Sequence, residues 1–295
     1  MASQRDIKRR ITSVQNTRKI TKAMEMVAAA RLRRAQMRIE ATRPYAVHMM
    51  EFIAGLAKYI DVDHARFPLL KRHDEVKRVA LVALTADRGL CGAFNSNIVR
   101  LTHERRREYE AQGVEVDLIV VGKKGAGTFR FQNVPTEASY IGITDRPEFL
   151  DAQAIANRVG ELYTSETVDR VVLIFNHFVT AMEQRVTEQI ILPLQEEVVE
   201  VYTPDDAAPH MDFLFEPEAE IILNDLLPSY VEMTMYRALL ESTASEHGAR
   251  MTAMRNASES AGEMIDRLTL AMNRARQASI TQEILEVVAG ADALS

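Results

Sequence analysis

Apolar residues recur at helical spacing from residue 3 to 58, and no glycine occurs before Gly55. Ala, Arg, Met and Lys dominate this stretch, and all are good helix formers. The segment therefore reads as one long helix. Ser3 and Asp6 supply a capped start, and Pro44 marks a kink or an interruption. A heptad trace through Ile7, Ile11 and Val14 turns polar at Arg18, Thr21 and Glu25, then resumes at Ala28, Leu32, Ala35 and Ile39. Between the two apolar parts, Ile20, Met24 and Val27 lie on a shifted stripe.

The pattern changes between residues 77 and 195. Three short apolar runs rich in β-branched residues, 79–84, 116–122 and 170–178, alternate with amphipathic stretches at Asn95–Gln112 and Asp151–Ser165. Apolar strands separated by helices predict a parallel sheet covered on both faces. Residues 184–192 and 136–143 partly alternate and are candidate edge strands. A segment carrying Pro204, Pro209 and Pro217 follows and reads as a non-helical linker.

From about Glu218 to Val288 the helical pattern returns, with Pro228 at a first turn or a kink. Its seam runs Leu240, Ala244, His247, Met251, Met254, Ser258, Ala261, Ile265, Leu268, Met272, Ala275, in the alternating steps of a coiled coil. It then slips to Ile280, Ile284 and Val287. A helix over 228–288 would be roughly 90 Å long at 1.5 Å per residue, too long for a compact domain. The two terminal helices are expected to pair antiparallel, as a coiled coil with a Rossmann-like α/β domain inserted between them. The resulting division is 1–60 helix, 75–200 α/β domain, 201–217 linker and 218–295 helix. Both stripes lose register, near 18–25 and 275–280, and the two breaks are expected to coincide at the far tip.

Charge sharpens this picture. The 295 residues carry 36 Lys and Arg against 42 Asp and Glu. Residues 1–43 alone hold twelve basic and three acidic groups, so a helix of net +9 sits on a body of net −15. Such asymmetry implies an acidic partner, nucleic acid or anionic lipid, or else a solvated helix face. The N-terminus has no apolar signal core, and its helical pattern runs on without a cleavage-type break. No stretch approaches the length of apolar chain that spans a membrane.

Candidate chemistry is sparse. GKKGAG at 122–127 follows a strand but lacks the GxxxxGK[ST] and GxGxxG patterns that cradle phosphates. Cys91 is the one cysteine, so no internal disulfide can form, and it sits in DRGLCG without a companion base motif. It reads as a small buried thiol beside a glycine turn. The seven histidines form neither HxxxH nor HExxH, so no metal site is expected. No cofactor or catalytic residue is expected.

Three segments carry a resemblance: SVQNTRKITKAMEMVAAARLRRAQ at 13–36, TADRGLCGAFN at 85–95 and ARQASITQEILEVVAGA at 275–291. In content, order and spacing they closely resemble the signature segments of the ATP synthase gamma-subunit family, across essentially the whole chain. The resemblance implies a non-catalytic central stalk whose coiled coil turns inside a ring of alpha and beta subunits. It implies a foot that meets the epsilon subunit and the membrane ring of c subunits, on the cytoplasmic face of a bacterial inner membrane. It also implies site residues. Met24, within KAMEMV, faces the beta levers. Arg276, Gln277 and Thr281 resemble positions that hydrogen-bond to a beta loop. Phe213 matches an aromatic position near the c ring, although Met211-Asp212 stands where the family usually has Trp-Asp. The paired cysteines of the chloroplast branch are missing, so thiol regulation of that kind is not expected.

Two other readings remain open on the residues alone. One is a long coiled-coil adaptor binding nucleic acid or another protein stalk, which would use the basic helix for phosphate contacts; that helix lacks interleaved aromatics, so nucleic acid is not expected as a partner. The other is an α/β enzyme with helical arms.

Overall fold

The computed structural model describes residues 4–57, 67–73, 75–194 and 218–292. Ser3, Phe213 and the linker expected at 201–217 lie outside the described residues. The elements run α1 (Gln4–Ala57), β1 (Arg78–Leu84), α2 (Phe94–Ala111), β2 (Glu115–Val121), α3 (Lys123–Phe131), β3 (Ala138–Tyr140), α4 (Phe149–Thr164), β4 (Arg170–Phe178), β5 (Gln184–Leu192) and α5 (Ala219–Asp292). The chain divides into two compact units: residues 30–249, and residues 1–29 with 250–295.

The larger unit is built on a mixed five-stranded sheet in the order β3-β2-β1-β4-β5. The first four strands are parallel, and β5 pairs antiparallel with β4 at one edge. Strand periodicity sorts the core into two layers, because successive side chains point to opposite faces. Ala80, Val82, Leu84, Ile119, Val121, Leu173 and Phe175 join one layer with α4, the end of α1 (Met49, Ile53, Leu56) and the start of α5 (Leu223 to Leu239). Val79, Leu81, Ala83, Leu118, Val120, Val172 and Ile174 join the other, against Ile98 of α2 and Phe129 of α3. β1, β2 and β4 are buried on both faces, which is why they read as unbroken apolar runs.

Three expectations need correction or trimming. The helix α1 continues through Pro44 without interruption. Likewise α5 continues through Pro228, which lies well inside it. The candidate strand at 136–143 shrinks to Ala138–Tyr140, because only three residues pair with β2. In GKKGAG, all but the first glycine lie in α3.

The smaller unit pairs the start of α1 with the later part of α5. Thr21 and Ser258 are buried, with their hydroxyl oxygens 2.6 Å apart. Thr21 also donates to the Arg18 carbonyl at 3.1 Å, which commits its single proton, so Ser258 is the donor between them. Glu25 meets Arg255 at 3.3 Å and Lys22 at 3.0 Å. The hydrogen bond from Lys22 and the charge of Arg255 hold its carboxyl below the usual range, against the opposing effect of burial. Gly262 lies beside the Arg18 guanidinium. The pairs 18/262, 21/258 and 25/255 advance in opposite directions, so the helices are antiparallel here.

That register overturns one expectation. The polar part of the α1 stripe faces 255–262, not 275–280, so the two breaks do not coincide. The first is a place where Thr21 and Glu25 exchange polar contacts with Ser258 and Arg255. The second falls where α5 outruns α1: the same register sets Ala275 against the first residues of α1.

The Thr21–Ser258 contact yields a testable expectation. Thr21→Val strands the buried Ser258 hydroxyl, and a buried unmade hydrogen bond costs about 1–3 kcal/mol. Adding Ser258→Ala removes the orphan and should recover part of the loss. Urea unfolding of the full chain reads both. A double variant as unstable as the sum of its singles would refute the pairing.

Candidate functional site

In open α/β sheets, ligands bind outside the carboxyl ends of the strands, where the strand order switches direction. Here that point lies between β1 and β4. The structure fills it with the protein's own groups. Thr243 of α5 donates to the Thr144 carbonyl at 3.0 Å, and Ser245 of α5 donates to the Asn176 carbonyl on β4, also at 3.0 Å. Ala249 packs on the cluster of Ala86, Cys91 and Phe94 that follows β1. His177 at the end of β4 pairs with Glu241 of α5.

The start of α3 is closed in the same way. A helix N-terminus attracts anions because its first N–H groups lack partners. In α3 they have partners: Lys123 donates to Asp87 Oδ1 at 3.0 Å, Lys124 to the Ala86 carbonyl at 3.0 Å, and Gly125 to Thr85 Oγ1 at 2.9 Å. Gly122 has φ +95°, and a Cβ there would sit 2.4 Å from the Thr85 carbonyl oxygen. A Cβ on Gly125 would lie 2.5 Å from Thr85 Oγ1. These glycines let β2 and α3 close onto the end of β1. They do not form an open cradle.

Asp87 organises this end of the sheet, and sequence reasoning passed it over. Its carboxylate accepts hydrogen bonds from the backbone of Lys123, Gly142 and Thr144 and from the Thr144 hydroxyl, at 2.9–3.0 Å. The start of α3 and the loop after β3 are thereby tied to the turn after β1 through one side chain. Burial pushes the carboxyl up, but these four hydrogen bonds more than offset it and leave it below the ordinary carboxylate value. The signal available was an acid three residues past a buried strand. Its partners come from segments with no motif of their own.

A folded-state value below the unfolded one, near 3.9 for Asp, has a definite sign. The stabilisation from Asp87 is complete above the unfolded value and is lost as pH falls through the folded one. Asp87→Asn should therefore destabilise the full chain at neutral pH by about 1–3 kcal/mol, the range for a hydrogen-bonded charge. The gap to the parent should close as pH drops below about 4. Denaturant titrations across pH 7 to 3 measure this, and a gap constant over that range would refute it.

The residues singled out for partner contact fall in the smaller unit, apart from Phe213. Met24 is half-buried on α1, while its stripe neighbours Ile20 and Val27 are 60% and 54% exposed, on a face turned away from α5. Arg276, Gln277 and Thr281 are all exposed on the part of α5 that outruns α1. Thr281 donates its hydroxyl proton to the Gln277 carbonyl at 2.9 Å, which leaves that oxygen as an acceptor toward any outside group. Ile280, Ile284, Leu285, Val287 and Val288 are exposed with them, between 48% and 72%. So many uncovered aliphatic groups on one helix end mark an interaction surface. Among the described residues, no group of three His, Cys, Asp or Glu could hold a metal ion, and no helix is long and apolar enough to cross a membrane.

The comparisons with known proteins agree with one another. The family model for ATP synthase matches residues 3–294. Two curated relatives, the ATP synthase gamma chains of Moorella thermoacetica and Desulfitobacterium hafniense, are 47% and 46% identical over the full length of both sequences. Among solved structures, a chain of the central stalk and c-ring of Tetrahymena thermophila mitochondrial ATP synthase aligns at TM-score 0.61 and 32% identity, covering 81% of this chain and 99% of that one. A chain of the Euglena gracilis mitochondrial enzyme aligns at TM-score 0.70 and 19% identity, covering 99% and 94%.

Proposed function

The chain belongs to the ATP synthase gamma-chain family, and from that premise we propose that it is the central rotor shaft of a proton-transporting ATP synthase. It transmits torque between the membrane c ring and a catalytic ring of alpha and beta subunits, and so governs ATP synthesis and hydrolysis. The observation that carries this reading is the end of α5. A helix of 74 residues is about 110 Å long at 1.5 Å per residue, and its last turns carry uncovered aliphatic groups beside Arg276 and Gln277. A surface of that kind is suited to turning against surrounding walls.

The finer assignments follow from the same reading. The helices of 1–60 and 218–295 form an antiparallel coiled coil, residues 75–200 form the foot, and 201–217 link them. Met24, Arg276, Gln277 and Thr281 meet beta. The foot meets epsilon and the c ring, with Phe213 on the c-ring side. The protein sits peripherally on the cytoplasmic face of the bacterial inner membrane. It has no catalytic site or cofactor of its own, since α5 and the Asp87 network fill the usual ligand position of the α/β domain.

Co-purification tests the assignment. A tagged chain expressed in its own cells is expected to carry alpha, beta and epsilon in fixed proportion, identified by mass spectrometry. Nuclease-sensitive recovery with RNA or DNA instead would favour a nucleic-acid adaptor and reject the rotor.

A further inference from the structure

One concave surface of the larger unit borders the Thr243–Thr144 contact and is otherwise unused by the contacts described above. Arg31, Arg34 and Arg38 face it from α1, at spacings of three and four that share one side of a helix. Arg146 faces it from the loop before α4. These four guanidinium groups surround a cavity of about 310 Å³. The lining contains one carboxylate, Asp145, and that group is already shared: it pairs with Arg31 and, at 3.7 Å, with Arg88. Arg38 is held in place by a 3.3 Å hydrogen bond to the Pro147 carbonyl. Arg34 and Arg146 make no hydrogen bond or ion pair among the described residues. The rest of the wall mixes apolar groups, Ala35, Pro147 and Leu240, with the polar Thr243 and His247.

Cations gathered in a concavity repel one another and focus a positive potential into it. A bound anion removes that penalty, and arginine forks match the oxygens of phosphoryl groups in paired hydrogen bonds. The cavity is larger than one phosphoryl group needs. His247 is the one ring in the lining, and no Phe, Tyr or Trp accompanies it, so a nucleobase would find little stacking surface. We propose that this cavity binds a di- or triphosphate group, read through Arg34, Arg38 and Arg146. The source is either inorganic polyphosphate or the tail of a nucleotide.

Calorimetric titration of the full chain tests this with three probes in magnesium-free buffer: inorganic pyrophosphate, inorganic tripolyphosphate and ATP. Saturable binding that weakens as salt rises is expected. The Arg34→Gln, Arg146→Gln double variant should bind about tenfold or more weakly, since it removes two charge-assisted contacts. Arg43→Gln alters another exposed α1 arginine outside the cavity and should leave affinity unchanged. ATP binding like tripolyphosphate would show that the phosphate chain alone is read. ATP binding much more tightly would assign the nucleotide as the source. Absence of saturable binding to all three probes would overturn the proposal, as would equal weakening in Arg43→Gln. The co-purification result bears on neither outcome.

Discussion

Arg276→Ala combined with Gln277→Ala is expected to cut both ATP synthesis and ATP hydrolysis in the assembled enzyme by about ten- to hundredfold, the kinetic equivalent of a desolvated charge-assisted contact of about 1.5–3 kcal/mol. Both side chains are exposed and lie where α5 has outrun α1, so their removal takes nothing from the helix pair. Arg276 offers a fixed fork of donors suited to a carboxylate, and Gln277 adds a neutral donor and acceptor. If the contact forms in one rotary position and not in the others, its loss falls on the coupling step and not on folding. Membrane vesicles assayed for synthesis, hydrolysis and proton pumping, with subunit content read from a gel, supply the measurement. Normal rates in a fully assembled double variant would mean that both side chains are merely solvated.

Within GKKGAG, two glycines should give opposite results. At Gly122 an added Cβ meets the Thr85 backbone at 2.4 and 2.7 Å, and the residue has φ +95°. Overpacking and left-handed strain each cost about 1–3 kcal/mol, so Gly122→Ala should strip several kcal/mol from the larger unit, enough to unfold many domains. At Gly127 an added Cβ meets nothing within 4 Å, and the residue lies inside α3. Gly127→Ala should stabilise by about 0.5–1 kcal/mol through helix propensity. Denaturant midpoints of the full chain compare the two directly. A phosphate cradle predicts that both changes are harmless to stability and harmful to ligand binding. Unchanged stability in Gly122→Ala would rule out the close-packing account.

These two predictions rest on different degrees of legibility in the sequence. The long helices and the parallel strands could be read because each is specified locally: helical periodicity without glycine in α1, and unbroken β-branched runs in β1, β2 and β4. The edge position of β5 followed from its weaker alternation. What could not be read was the pairing across the molecule. Thr21 and Glu25 looked like a failure of the α1 stripe, yet they are matched by Ser258 and Arg255 more than two hundred residues later. A heptad trace on one helix gives no register with another, so two breaks were expected to coincide when they lie opposite different residues. The GKKGAG glycines matched no complete phosphate-binding pattern, and the sequence offered no other role for them. Their use is steric, set by Thr85 in another element. Asp87 was overlooked for the same reason, since its four donors are meaningful only once the segments after β1, β2 and β3 converge. At the end of α5 the sequence was more direct: Ile280, Ile284 and Val287 left the seam in the residue pattern, and the structure leaves them uncovered.

The central claim is that this chain turns inside a ring, and observed rotation tests it most directly. Gln112 is exposed just past α2 on the larger unit, whereas the native Cys91 is buried. A Gln112→Cys variant can therefore carry a gold bead in an enzyme fixed to a surface through its beta subunits. With ATP supplied, the bead should turn continuously in one direction, in three main steps per revolution for a ring of three beta subunits, and should slow by about ten- to hundredfold when Arg276 and Gln277 are replaced by alanine. A bead that stays still, or wanders without direction, while the same molecules hydrolyse ATP at the full rate would contradict the account.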